Sequence, residues 1–190
     1  RTRLQRPIPG LEVYSIASYL EADGTSAWIQ NFILRNKALP NRAGVLWASN
    51  AFIRILSDLG CNPENTELVW VPSPAAQPFH LVEALCLNLK KEGYSLKRLQ
   101  PFLARYRNNK KMHHTRCMEE RKNTVKAKFS VPFQYFFGKK QISEKQILLI
   151  DDVCTTGETI TYLHNAMRDY YGKTFSLALT MAFTPRSNSK

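Results

Sequence analysis

No stretch of this 190-residue sequence approaches the ~18 to 20 consecutive apolar residues that a membrane-spanning helix needs, so insertion into a bilayer is not expected. Residues 1–11 lack the apolar centre of a secretion signal. The four cysteines, Cys61, Cys86, Cys117 and Cys154, include no Cys-x-x-Cys pair. That spacing argues against a zinc knuckle or a disulfide framework and for free thiols in a reducing, cytoplasmic setting. No Gly-x-x-x-x-Gly-Lys loop occurs, which excludes a Walker-type nucleotide site. Internal repeats, heptad runs and low-complexity tracts are also missing, so a solenoid, a coiled coil and a disordered linker are set aside.

What is present is enough apolar material, 44% of residues, to bury one core, in a chain too short for two ordinary domains. A single domain over residues 1–190 is expected. The formal charge is +12, from 27 Lys and Arg against 15 Asp and Glu, and it is unevenly spread. Between Lys90 and Lys128 there are 13 basic residues and 3 acidic ones, Glu92, Glu119 and Glu120. A basic concentration of this kind suits a polyanionic partner, either a phosphorylated small molecule or a nucleic acid backbone. A solvated surface loop would carry the same pattern.

Hydrophobic spacing predicts a strand over Val13–Leu20 and a helix over Ser26–Asn36 with Trp28, Ile29, Phe32 and Ile33 on one face. A second helix is predicted over Gly44–Leu59, built on Val45, Leu46, Ile53, Leu56 and Leu59 and ended by Gly60. Glu67–Val71 reads as a strand stopped by Pro72-Ser73-Pro74. Pro78–Lys91 reads as a helix and Leu99–Leu103 as a further strand. Residues 104–128 read as a long, mobile, basic loop, Gln146–Ile150 as a buried strand, Gly157–Tyr170 as a helix, Thr174–Phe183 as a last strand, and 184–190 as a polar tail. Strands alternating with helices predict an α/β fold with a parallel-stranded central sheet flanked by helices.

The chemistry concentrates in Ile147-Leu148-Leu149-Ile150-Asp151-Asp152-Val153-Cys154-Thr155-Thr156-Gly157-Glu158-Thr159. Four apolar residues make a strand buried on both faces, and Asp151 and Asp152 emerge at its carboxyl end, where open α/β sheets bind ligands. The Thr-Thr-Gly-Glu-Thr turn opens a helix, so its backbone N–H groups and hydroxyls can converge on a dianion at the positive end of the helix dipole. Two carboxylates beside a phosphate repel it unless something intervenes. A ribose supplies the reason for them, because its cis hydroxyls donate to carboxylates one sugar's length from the 5-phosphate. A Mg²⁺ ion would further offset the repulsion. The competing structural reading has Asp152 or Thr155 simply capping the helix.

This segment resembles the signature that binds 5-phosphoribosyl 1-diphosphate (PRPP) in type I phosphoribosyltransferases: an apolar strand, two acids, a short apolar link and Thr-Thr-Gly-x-Thr. The resemblance implies a fold with a mobile basic hood over the site, with Asp151 and Asp152 holding the ribose hydroxyls. Val153, Cys154, Thr155, Thr156, Gly157, Glu158 and Thr159 would then wrap the 5-phosphate. More of the chain, over about Val13–Phe183, resembles the competence-associated ComF branch. The matching pieces are Phe32-Ile33-Leu34-Arg35-Asn36-Lys37, Val69-Trp70-Val71-Pro72-Ser73-Pro74, Arg105-Tyr106-Arg107 and Glu120–Phe129.

In that family a loop after Val-Pro-x-Pro holds pyrophosphate, which maps here to Ser73, Ala75 and Ala76. The family's arginines are replaced by Ala75-Ala76-Gln77-Pro78-Phe79-His80, and its N-terminal cysteine zinc module has no counterpart in the sequence. Arg105 and Arg107, with Lys110 and Lys111, fall on the hood and would stabilise the leaving diphosphate.

The resemblance implies transfer of a phosphoribosyl group from PRPP, with Mg²⁺, to a nitrogen acceptor. Its alternative is a catalytically weak PRPP- or nucleotide-binding protein that works in DNA uptake with other uptake proteins. That protein would bind single-stranded DNA through Lys110, Lys111, Arg116, Arg121 and Lys122. A PRPP-sensing regulator is a third possibility. His113 and His114 have no third metal ligand at recognisable spacing. Tyr94, Tyr106, Phe133, Tyr135, Phe136 and Phe137 flank the basic segment, where aromatics beside cations suit stacking of single-stranded bases; packing of Phe133 to Phe137 under the loop is the favoured reading.

Overall fold

The computed structural model of the chain describes residues 2–3, 8–18, 24–38, 40–71, 81–97 and 144–184. Among the described residues six strands form one sheet: β1 (Thr2–Arg3), β2 (Glu12–Ser18), β3 (Thr66–Trp70), β4 (Ser95–Lys97), β5 (Gln146–Cys154) and β6 (Leu177–Phe183). Their order is β1-β2-β6-β5-β3-β4. The five strands from β2 to β4 pair in parallel, and β1 alone is antiparallel, on the β2 edge. The helices are α1 (Gly24–Ala38), α2 (Arg42–Asp58), α3 (Leu81–Lys91) and α4 (Glu158–Tyr171).

The central strands are largely apolar because they are covered on both faces, with Thr66, Glu67, Asp151, Asp152 and Thr180 as buried polar exceptions. Every residue of β3 and of β6 is buried, the pattern of a parallel sheet between helical layers. Alternate residues serve different layers. Leu68, Trp70, Leu148, Ile150, Leu177 and Leu179 pack with α1, α2 and α3. Val69, Ile147, Leu149 and Ala178 pack with α4 residues Ile160, Leu163 and Met167. Each fully buried Leu or Ile of these layers contributes about 1.5–3 kcal/mol by leaving water.

The α1–α2 connection is held by two asparagines and a glycine. Asn36, 2% exposed, donates through Nδ2 to the Phe32 carbonyl at 2.9 Å, and its Oδ1 accepts from the Asn41 N–H at 2.9 Å. Asn41 then caps α2, its Oδ1 accepting from the Gly44 N–H at 2.7 Å, the contribution expected of an N-cap asparagine. A Cβ at position 44 would lie 2.9 Å from both Asn36 Oδ1 and Phe32 Cε2. Only glycine lets the two helices meet there.

The order of the sheet fixes where a ligand can bind. β3 continues toward α3 and returns as β4 on one side, while β5 runs through α4 to β6 on the other. The two connections leave adjacent strands in opposite directions, and α3 and α4 cover opposite faces. The carboxyl ends of β3 and β5 therefore flank a topological switch point, the place where open α/β sheets form a crevice.

Sequence and structure differ at several elements. The strand expected to end at Ile150 continues through Asp151 and Asp152 to Cys154. β1 and β4 were not expected, and the strand expected over Leu99–Leu103 lies outside the described residues. Trp28, expected on the buried face of α1, is 52% exposed, and Leu46, expected in the core of α2, is 49% exposed. Ile29 and Ile33 on α1 and Leu56 on α2 are buried as expected, and Ala48, Phe52 and Ile55 complete the buried face of α2. Among the described residues no helix is long and apolar enough to cross a membrane.

Candidate functional site

β5 carries its two carboxylates to the switch point. The β3–β5 ladder extends to the mouth, where the Val71 N–H donates to the Ile150 carbonyl at 2.9 Å. Asp151 and Asp152 follow, each 8% exposed. One oxygen of each is fixed by the next backbone amide: Asp151 Oδ1 accepts from the Asp152 N–H at 2.8 Å, and Asp152 Oδ1 from the Val153 N–H at 2.7 Å. These two bonds fix one oxygen of each carboxylate against the strand's own backbone.

The turn after β5 ends at Gly157, whose φ of +77° and ψ of 0° lie in the left-handed region that glycine enters without penalty. Its N-cap position carries no side-chain cap bond. Asn41 caps α2 through its side chain, whereas the N-cap of α4 is a glycine, with Thr155, Thr156 and Thr159 around the first turn. Thr155 is exposed, Thr156, Glu158 and Thr159 are half-buried, and Gly157 is buried. Amides and hydroxyls of this kind at a helix N-terminus are suited to an anion. Beneath the turn lies Ile8, whose Cδ1 would be 3.3 Å from a Cβ at position 157.

Cys154 takes no nucleophilic role. It is 2% exposed, and burial, with the Asp151 charge second, pushes its thiol up to about 12, partly opposed by a hydrogen bond from the Gly157 backbone. A thiol so held is inert at neutral pH. Val153 packs against the α1–α3 layer and serves as a spacer.

Thr184 was not singled out from the sequence. Its N–H donates to the Cys154 carbonyl at 2.9 Å, which carries the β5–β6 ladder to the mouth. Its buried Oγ1 finds no hydrogen-bond partner among the described residues. The available signal was position, one residue beyond the strand next to the acidic one.

The structure thus brings Asp151 through Thr159 together at one strand mouth. Ser73, Ala75, Ala76, Arg105, Arg107, Lys110, Lys111, Arg116, Arg121 and Lys122 lie outside the described residues, as do the 104–128 loop, His113, His114 and the 185–190 end. Tyr94 is a core residue, 5% exposed with its hydroxyl donating to the Cys61 carbonyl at 3.1 Å.

Among the described residues no group of three or more His, Cys, Asp or Glu side chains is placed to hold a metal. Two adjacent carboxylates are nonetheless hard oxygen donors of the kind Mg²⁺ takes singly or in pairs, the rest of its shell coming from water and substrate phosphates. Neither a protein-family model nor a curated protein matches the chain.

Proposed function

We propose that the chain binds PRPP at Asp151–Thr159 and transfers its phosphoribosyl group to a nitrogen acceptor, as a type I phosphoribosyltransferase of ComF-like kind acting in the cytoplasm. One observation carries the reading. Two buried carboxylates stand near the carboxyl end of a central parallel strand at the switch point, and the turn that follows the strand enters a helix through a glycine at positive φ.

The carboxylates of Asp151 and Asp152 accept hydrogen bonds from the ribose 2- and 3-hydroxyls. The amides and hydroxyls of Thr155 to Thr159 hold the 5-phosphate at the positive end of α4. Fixing the sugar at both ends presents its anomeric carbon to the acceptor, so much of the rate advantage comes from orientation. A C–N bond forms at that carbon as the C–O bond to diphosphate breaks, and the acceptor's proton passes to solvent. Mg²⁺, when bound, supplies charge neutralisation of the diphosphate. Arg105 and Arg107 are proposed to stabilise the departing pyrophosphate, with Ser73, Ala75 and Ala76 as the backbone loop beneath it.

The concentration of basic residues between Lys90 and Lys128 supports a second reading. In it the pocket is retained for binding, and Lys110, Lys111, Arg116, Arg121 and Lys122 hold single-stranded DNA during uptake. Incubation with PRPP, Mg²⁺ and a panel of bases and amines separates the two. Sustained pyrophosphate release dependent on an acceptor supports the transferase. PRPP binding without release, together with salt-dependent DNA binding, supports the alternative.

A further inference from the structure

A second surface, on the side of α1 and α2 turned away from the sheet, has no part in the site described above. Trp28 is 52% exposed, Trp47 38% and Leu46 49%. The rings form one cluster: Trp28 meets Trp47 edge-on with centroids 4.9 Å apart, and Phe32 stacks on Trp28 at 5.6 Å and meets Trp47 at 5.1 Å. Helical spacing puts Trp28 and Arg35, two turns apart, on one face of α1, and sets Leu46 and Trp47 on either side of Ala43 and Asn50 on α2, with Arg42 and Arg54 on the same exposed face. Arg35, Arg42 and Arg54 are all exposed. No Asp or Glu occurs anywhere in residues 24–57.

From this we infer that the outer face of α1 and α2 docks an acidic amphipathic helix of a partner protein. Leu or Phe anchors of the partner would enter between Trp28, Trp47 and Leu46, and its carboxylates would meet Arg35, Arg42 and Arg54. Exposed tryptophans beside arginines have the composition of interface hot spots, and an apolar band with helical anchor spacing suits helix-in-groove binding. The charge is complementary to an acidic partner. A second copy of this chain is disfavoured, because a two-fold contact would bring these arginines close to their equivalents. Single-stranded nucleic acid fits less well. The rings are packed on one another rather than spread as separate platforms for successive bases, and Leu46 widens an apolar surface that bases do not need.

The test uses the intact chain and a synthetic helical peptide of ~18 residues, with Leu and Phe at i, i+4 and i+7 spacing and Glu on the other faces. Its controls are the same peptide with Lys for Glu and a single-stranded oligothymidylate. Tryptophan emission reports binding. The acidic peptide is expected to shift the emission to the blue. Trp47→Ala, or Arg35→Glu with Arg42→Glu, should each weaken binding roughly tenfold or more while circular dichroism stays unchanged. No response to the acidic peptide, equal binding of the lysine peptide, or retention of full affinity in these variants overturns the inference. Preferential binding of the oligonucleotide, or a dimer by light scattering that Trp47→Ala dissociates, also overturns it. PRPP binding by the same variants is expected to be unchanged, so a failure here is distinct from a failure at Asp151–Thr159.

Discussion

Thr180 on β6 stands in register with Asp151 on β5, and on its other side pairs with Ser15 on β2. The hydroxyls of Thr180 and Ser15 share a hydrogen bond, and both residues are 0% exposed. A polar row therefore crosses three adjacent strands of an otherwise apolar layer and ends at the first carboxylate of the site. Replacing one member should cost more than replacing both. Thr180→Val keeps the volume but leaves the Ser15 hydroxyl buried and unpaired, a loss of about 1–3 kcal/mol. Adding Ser15→Ala should restore part of it. Urea unfolding of the two single variants and the double variant measures the coupling, and strictly additive losses would contradict it.

Gly157→Ala should destabilise the protein by about 1–3 kcal/mol, because alanine at positive φ is strained and its Cβ would press on Ile8. Affinity for a phosphate-bearing ligand should fall as well, since the turn cannot hold its shape. A urea midpoint equal to that of the native chain would show that the left-handed turn is not required.

His164 gives the fold a pH dependence. It is 3% exposed, and its Nδ1 finds no hydrogen-bond partner among the described residues. Burial, with Arg168 one turn on as the second cause, lowers its pKa from the ordinary 6.5. The unfolded chain therefore takes up the proton first as pH falls. Stability is fully present above about pH 6.5 and is lost as pH drops toward the lower folded value. Unfolding midpoints measured from pH 7 down to about pH 5 should decline more steeply for the native chain than for His164→Gln. Parallel curves would remove His164 as the cause.

Cysteine labelling checks the reading of Cys154. With its thiol pushed up to about 12, and with Cys61 and Cys86 also buried and raised, all three should react with iodoacetamide only after unfolding. Mass spectrometry of the labelled peptides gives the answer. Rapid modification of Cys154 in the folded chain would show that the turn opens far more than this packing allows.

Much of the fold was legible because its elements carry strong local signals. The apolar run Ile147–Ile150 has few alternatives to a central parallel strand, and the spacing of Ile29 and Ile33 marks the buried side of α1. What failed depended on neighbours distant in sequence. Ser95-Leu96-Lys97 has a single apolar residue, and it becomes a strand because β3 supplies a ladder. Trp28 counts as apolar beside Ile29, so pattern alone placed it inside, whereas it meets Trp47 of α2 on the outer side. Asp151 and Asp152 were expected just beyond a strand ending at Ile150, yet the ladder to β6 carries the strand on to Cys154.

The site shows the same division. Asp151 to Thr159 was readable because one contiguous stretch holds both the carboxylates and the helix opening. Thr184 was not, since its nearness to Cys154 exists only once β5 and β6 are side by side.

Calorimetric titration with PRPP and Mg²⁺, on the native chain and on the Asp151→Asn, Asp152→Asn double variant, tests the central claim most directly. Saturable binding to the native chain, weakened at least about tenfold or ~1.4 kcal/mol in the variant, is the predicted result. Equal affinity in the two proteins, or no heat with the native chain, would contradict it.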